Sequence, residues 1–365
     1  MENFMNKLKN PIFSDFLEQW VEEELKNSSR SENTFSTYLG IVKNIQTSSL
    51  GSLRLHSITT KHLQDFMDEL SFGEKSYAKT TCNCYMSVLH NIFRFAIFPK
   101  QYISSDPMDF VINKKKKNDF SFISTQSHSY NTITSQQFLK ITDYLKKRNS
   151  SSLLPIQISY YSGLRLGEVC GLTWDDINLE DRSLIVKRTL FYNSYRHRME
   201  IGPTKNGKSR IVDFGLKLFS ILKEAKEKQS SYEFFHSPHL YQNYYRKVFD
   251  LNRFHFDLYH FRNKETISHS MNPINFVCRL TNGSYLSPRT VQNMCISARR
   301  SITGIEQFHF HSLRHTYTSN LLDHGASPQD VQELLGHADV RTTMNIYAHS
   351  QRNSRKKSVL LLDEI

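Results

Sequence analysis

No stretch of this sequence approaches the roughly 18 consecutive apolar residues that a membrane-spanning helix needs. The first ten residues lack the apolar centre of a secretory signal. Both absences point to a cytoplasmic chain with no membrane partner. Cysteine is scarce: Cys82, Cys84, Cys170, Cys278 and Cys295 are odd in number and show no paired metal-ligand spacing. Free thiols in a reducing compartment are expected, rather than a disulfide scaffold or a structural zinc. No internal repeat is visible, and no carboxylate cluster suggests a catalytic metal, so the expected cofactor set is empty.

What is present is length and positive charge. The 365 residues predict two or three domains, each able to bury its own core. The net charge of +12 comes from 47 basic and 35 acidic residues, and it is unevenly placed. Residues 1–107 hold 11 basic and 12 acidic groups, so the remaining chain carries the whole excess, +13. A polyanionic partner is therefore expected for the C-terminal two thirds.

Four helices are predicted first. Phe13, Phe16, Leu17, Trp20 and Val21 recur at helical spacing within 11–25. A second helix starts near Ser31 and turns Tyr38, Ile41, Val42 and Ile45 inward. A third starts at Thr59 or Thr60 and carries Leu63, Phe66, Met67 and Leu70. A fourth runs from Tyr77 to Phe98 with Val88, Leu89, Ile92, Phe93 and Ile97. Short connections make this a compact helical domain over 1–110. Residues 111–131, with the basic run Lys114, Lys115, Lys116, Lys117, read as a linker. A second domain over 132–365 opens with a helix-start pattern at Thr132–Ser135. Helices are expected at 135–147 and 151–161, strands at 183–190, 197–201 and 209–214, and helix again at 216–228. Residues 229–275, rich in Tyr, Phe, His and Asn, show no clean period, and their role is not legible. Helix resumes at Ser287, Pro288 and Arg289. The expected fold class is mainly α with a small antiparallel β-sheet: a helical N-terminal domain followed by an α+β domain.

Residues 311–347 concentrate the chemistry. His311 and Arg314 share a face if helical. Ser327, Pro328 and Asp330 read as a helix start and Gly336 as its stop, which puts His337 just past a helix end. Thr342 or Thr343 can cap a last short helix carrying Tyr347. Cationic donors, a proton carrier and a hydroxyl nucleophile are together what a phosphodiester transfer needs.

One motif is a decoy. Residues 202–209, from Gly202 to Ser209, match the phosphate-cradling pattern GxxxxGK[ST]. That mechanism requires a buried strand before it and a helix directly after it. The preceding residues read as short and polar, the following ones as a strand, and Asn206-Gly207 as a tight hairpin turn.

The boxes His311-Ser312-Leu313-Arg314-His315 and Leu334-Leu335-Gly336-His337, with a tyrosine ten residues later, resemble the tyrosine recombinases, the phage integrase family. The same resemblance is carried upstream by Ser162-Gly163-Leu164-Arg165-Leu166-Gly167-Glu168 and by a hairpin lysine, Lys205, between the boxes. It implies a SAM-like core-binding domain before the catalytic one, and site-specific DNA cleavage and rejoining through a 3′-phosphotyrosyl intermediate without metal or ATP. It assigns Tyr347 as nucleophile, Arg165 and Arg314 as phosphate clamp, and His311 as general acid or base. His337 would donate to a nonbridging oxygen, Lys205 would protonate the leaving oxygen, and Glu168 would support them. The implied partners are double-stranded attachment sites, a homotetramer on DNA formed from a monomer in solution, and an accessory excision factor. Candidate DNA contacts are Lys75, Lys79, Thr80, Thr81, Arg94, the run Lys114–Lys117, and Lys208. The ten residues before the first helix leave no room for an arm-binding domain, and the 106 residues from Lys205 to His311 suggest an insertion. Two alternatives share part of this pattern: a type IB topoisomerase-like relaxing enzyme, and an inactive DNA-binding regulator.

Overall fold

The computed structural model describes residues 10–28, 30–74, 76–114, 131–205, 207–250, 253–262 and 268–336, with 341 and 344 in addition. The chain forms two compact units. One is Met1–Ile123 with Asn193–Arg196 and Phe249–Arg253; the other is Ser124–Tyr192, His197–Val248 and Phe254–Ile365.

The first unit holds the four expected helices: α1 Phe13–Trp20, α2 Glu32–Gln46, α3 Thr60–Phe72 and α4 Lys79–Ile97. On α1, Phe13, Phe16, Leu17 and Trp20 are fully buried. A single wide π turn, Val21–Leu25, then keeps Leu25 on the buried face. Ser31 caps α2 by accepting from Thr34 N, and Thr59 caps α3 by accepting from His62 N. The row Tyr85, Val88, Leu89, Ile92, Phe93 and Ala96 of α4 closes the core, where Phe13 stacks on Phe93 with ring centroids 5.5 Å apart. Each such buried side chain contributes about 1.5–3 kcal/mol.

The second unit packs helices around small antiparallel sheets. Its elements are α5 Ser135–Lys146, α6 Leu153–Ser162, α7 Leu166–Gly171, β1 Ile177–Asn178, β2 Ser183–Val186, β3 Thr189–Asn193, β4 Arg198–Gly202, β5 Arg210–Asp213 and α8 Leu216–His236. They continue with β6 Gln242–Asp250, β7 Arg253–Phe261, β8 Asn272–Pro273, α9 Pro288–Ser301, α10 Phe310–Asp323 and α11 Pro328–Leu335. The sheets run β1-β2-β5 and β3-β4-β7-β6-β8. The expected architecture, a helical domain followed by an α+β domain, is therefore the observed one.

Two expectations need correction, and one unread segment can be filled in. The stretch 183–190 is two strands in two different sheets. The break falls at Lys187 and Arg188, whose side chains both turn onto the buried carboxylate of Asp176. α8 runs eight residues beyond its predicted end at 228, because contacts rather than periodicity hold its polar second half: Trp174 Nε1 donates to Gln229 at 2.9 Å and Gln229 Nε2 donates to Val277 O at 2.7 Å. The segment 229–275, unreadable in sequence, contains the end of that helix and the nine-residue strands β6 and β7. Among the described residues, no helix is long and apolar enough to cross a membrane.

Candidate active site

α6 ends at Gly163 with φ +67°, a conformation open to glycine. A Cβ here would lie 2.5 Å from the ring of Tyr317 and 2.6 Å from Leu335. This close approach lets Gly163 O accept from Arg314 Nη1 at 2.7 Å. Arg314, on α10, is 2 % exposed, and its Nη2 donates to Leu335 O at 2.9 Å. Its buried guanidinium thus ties the end of α6 to the end of α11. Burial first, and then the neighbouring charge of Arg165, lower its pKa to about 9, which leaves it charged at neutral pH.

Arg165 follows two residues after Gly163. Its backbone N–H donates to Glu168 Oε2 at 2.9 Å and its Nη1 to Oε1 at 3.0 Å, so the acid three residues on fixes the arginine as α7 begins. Glu168 is 1 % exposed. Desolvation alone would raise its pKa; the hydrogen bonds and charge of Arg210, with the charge of Arg165, outweigh that and hold it at about 2.

α11 forms as its sequence predicts. Ser327 Oγ accepts from Asp330 N at 3.1 Å, Pro328 opens the helix, and Gly336 stops it at φ +63°. Two arginines then take its last carbonyls: Arg314 at Leu335 O, and Arg210 Nε at Leu334 O, 3.0 Å. Helix ends leave such carbonyls unpaired, and cations belong at that pole.

His311, one turn before Arg314 on α10, is exposed to solvent and lies within reach of the charges of Arg314, Arg165 and Lys205. Desolvation, then the charges of Arg314, His309, Arg165 and Lys205, lower its pKa to about 4. The ring of His315 stands edge-on to it, centroids 4.5 Å apart, and is likewise lowered to about 4. Both rings are therefore neutral at pH 7. Lys205 is exposed in the turn after β4. The turn is closed by Gly207 N donating to Thr204 O at 2.8 Å and by Thr204 Oγ1 donating to Lys208 O at 2.6 Å. Lys208 is exposed on the same turn.

Arg165, Lys205, His311 and Arg314 are thus brought together, with Glu168 beneath Arg165. His337 and Tyr347 lie outside the described residues. The decoy pattern fails on one of its two requirements only: β4 does precede it and is largely buried, contrary to its polar reading, but β5 rather than a helix follows. Of the other candidates, Lys79, Thr80 and Arg94 are exposed on α4, Thr81 is half-buried there, and Lys114 is paired with Asp68. Lys75 and Lys115–Lys117 lie outside the described residues. The sequence reading missed Arg210, 42 residues from the acid it holds, and His315, whose i,i+4 spacing from His311 was a usable signal.

One group among the described residues could present three metal ligands: Glu200, His255 and Asp257, all buried, with donor atoms within 4.8 Å of one another. Glu200 and Asp257 are direct cross-strand partners on β4 and β7. Arg198 already stands among them, its Nη1 2.8 Å from Asp257, and His255 Nε2 is 3.1 Å from the same carboxylate. Arg198 thus already occupies the space between the acids, which fits a structural polar cluster better than a metal centre.

Residues 131–354 match the phage integrase family, and residues 12–71 match the family's SAM-like N-terminal domain. The chain belongs to the phage integrase family. The integrase of Staphylococcus phage L54a is 20% identical over 94% of this chain and 90% of its own. The fold matches the Tn1549 transposon integrase in complex with transposon right end DNA (TM-score 0.70, 19% identity, 97% of this chain and 100% of that one). It also matches a lambda integrase tetramer bound to a Holliday junction (TM-score 0.60, 18% identity, 96% and 81%). This phage integrase family member is a tyrosine-type site-specific recombinase, and its Gly-Leu-Arg and His-x-x-Arg boxes meet in one place.

Proposed function

We propose that this recombinase cleaves and rejoins duplex DNA at the ends of a mobile element through a 3′-phosphotyrosyl bond to Tyr347. The observation that carries the reading is the convergence of Arg165, Arg314, His311 and Lys205 on one site whose single buried acid, among the described residues, is Glu168. Three guanidiniums, those of Arg165, Arg210 and Arg314, against one carboxylate leave two positive charges. A phosphodiester carries one negative charge, and a second develops as a fifth oxygen bonds to phosphorus. Fixed charge of that size stabilises the transition state more than the ground state.

In this mechanism the planar forks of Arg165 and Arg314 hold the nonbridging oxygens. The Tyr347 hydroxyl, ordinarily of pKa about 10, gives up its proton as its oxygen bonds to phosphorus. His311, neutral before DNA binds, can accept that proton. The bond from phosphorus to the 5′ oxygen breaks, Lys205 supplies the proton to that oxygen, and His337 donates to a nonbridging oxygen. Attack by a 5′ hydroxyl reverses the steps, so rejoining requires no nucleotide. Residues 1–110 and 132–365 act as two DNA-contacting domains joined by the basic linker 111–131. The basic excess beyond residue 107 favours the same partner. Copies that are monomeric in solution assemble on DNA, as the lambda tetramer does on its junction. We place the protein in the cytoplasm, its cysteines free thiols, four of them buried.

Tyr347→Phe removes only the hydroxyl. On a duplex carrying a nick beside the cleavage site, the wild type is expected to accumulate a covalent adduct and the variant to bind without forming one. An adduct in the variant removes Tyr347 as nucleophile.

A further inference from the structure

We infer that Arg210 is a positioning residue for the cleavage reaction: one guanidinium fixes the hairpin that carries Lys205, the acid that orients Arg165, and the helix end that leads to His337. The inference rests on the functional reading above.

Arg210 opens β5, five residues after Lys205, and is paired in register with Val186 of β2. From there it reaches two other elements. Nη1 donates to Glu168 Oε1 at 3.1 Å and Nη2 to Oε2 at 2.8 Å, a two-pronged contact that holds both oxygens of the carboxylate. Nε donates to Leu334 O at 3.0 Å. Gly336 makes room for this arm, since a Cβ there would lie 2.9 Å from Arg210 Cδ. All three nitrogens of the guanidinium therefore have a partner, two of them the Glu168 carboxylate and the third the end of α11. Glu168 receives Arg165 from the loop before α7 and Arg210 from β5, and it feels the charge of Arg314 on α10. Arg210 thus does not compete for phosphate; it sets where Arg165 stands relative to the lysine hairpin.

A lysine at this position keeps the charge and loses the fork. Small displacements of a phosphate clamp lower rates by about a hundredfold. On the nicked duplex, Arg210→Lys is expected to slow adduct formation ten- to a hundredfold, while half-site binding by gel shift stays within about threefold. Arg210→Ala is expected to slow it further and to regain part of the rate when guanidinium chloride is added at millimolar concentration. Its rate should also fall at a higher pH than the wild-type rate does on acidification, because Glu168 loses the partner that keeps it ionised. If Arg210→Ala proves too unstable, Arg210→Lys carries the same comparison.

Wild-type rates and an unshifted pH profile in a folded Arg210→Lys protein overturn the inference, as does a loss of half-site binding equal to the loss of rate. Failure of the wild type itself to form an adduct, or survival of the adduct in Tyr347→Phe, overturns the functional reading instead.

Discussion

The catalytic unit contains two buried clusters of acids and arginines, and they are built with opposite balances. Around Glu168, one carboxylate faces Arg165 and Arg210, with Arg314 close by. Around Asp257, two carboxylates, Glu200 and Asp257, face each other across β4 and β7, with Arg198 and His255 beside them. The acids of both are buried and take part in ion pairs, so burial alone does not tell the proposed site from a structural cluster. The difference lies in what remains after pairing. The first cluster keeps surplus positive charge beside the exposed His311. The second sets two carboxylates against one arginine and a histidine, and its directly opposed acids depend on those partners.

Three experiments can break or sharpen that contrast. The largest effect is expected for Arg314→Lys. Lysine cannot donate from a planar fork to Gly163 O, Leu335 O and a phosphate together, so single-turnover cleavage should fall by about a hundred- to a thousandfold. Cleavage within a few-fold of wild type would show that the planar fork of Arg314 is not what the site uses. A middle effect, on stability only, is expected for Asp257→Asn, which removes the charged partner of Arg198. Denaturant unfolding should show a loss of about 1–3 kcal/mol, while cleavage per folded molecule changes by less than about twofold. A cleavage defect in fully folded Asp257→Asn would make both clusters functional.

The smallest effect concerns pH. Folded His311 and His315 have pKa values near 4, below the ordinary value of about 6.5, so the unfolded chain binds protons first as pH falls. Their contribution to stability is full above about pH 6.5 and is lost progressively towards pH 4. The carboxylate of Glu168, held at about 2, loses its contribution only below its ordinary range near 4.5. Melting temperatures at constant ionic strength should therefore begin to fall below about pH 6.5, and His315→Asn should flatten that part of the curve. A wild-type curve flat down to pH 4.5 would mean that these rings are not held neutral.

Much of this was legible in the sequence wherever one local pattern set both structure and chemistry. Arg165 and Glu168 are one helical turn apart, and Ser327, Pro328 and Gly336 mark both ends of α11, so those pieces could be placed from spacing alone. Arg210 could not, because only the fold brings β5 to α7 and α11. The strands β6 and β7 escaped for a different reason. β6 has two adjacent buried residues, Asn243 and Tyr244, followed by mostly half-exposed ones, so no alternation of apolar and polar residues announces it. The polar half of α8 was lost likewise: its only buried residues, Leu218 and Leu222, lie near its start.

Arg314 has a consequence for how such a gene decays. A catalytic side chain at the rim of a cleft can mutate away and leave a folded, silent protein. Here the same guanidinium joins the ends of two helices from within the core. On the proposed function, drift at this codon is expected to cost shape along with activity, exposing the product to proteolysis rather than leaving an inert occupant of a DNA site. Selection for foldability alone thus guards one of the arginines proposed to hold the phosphate.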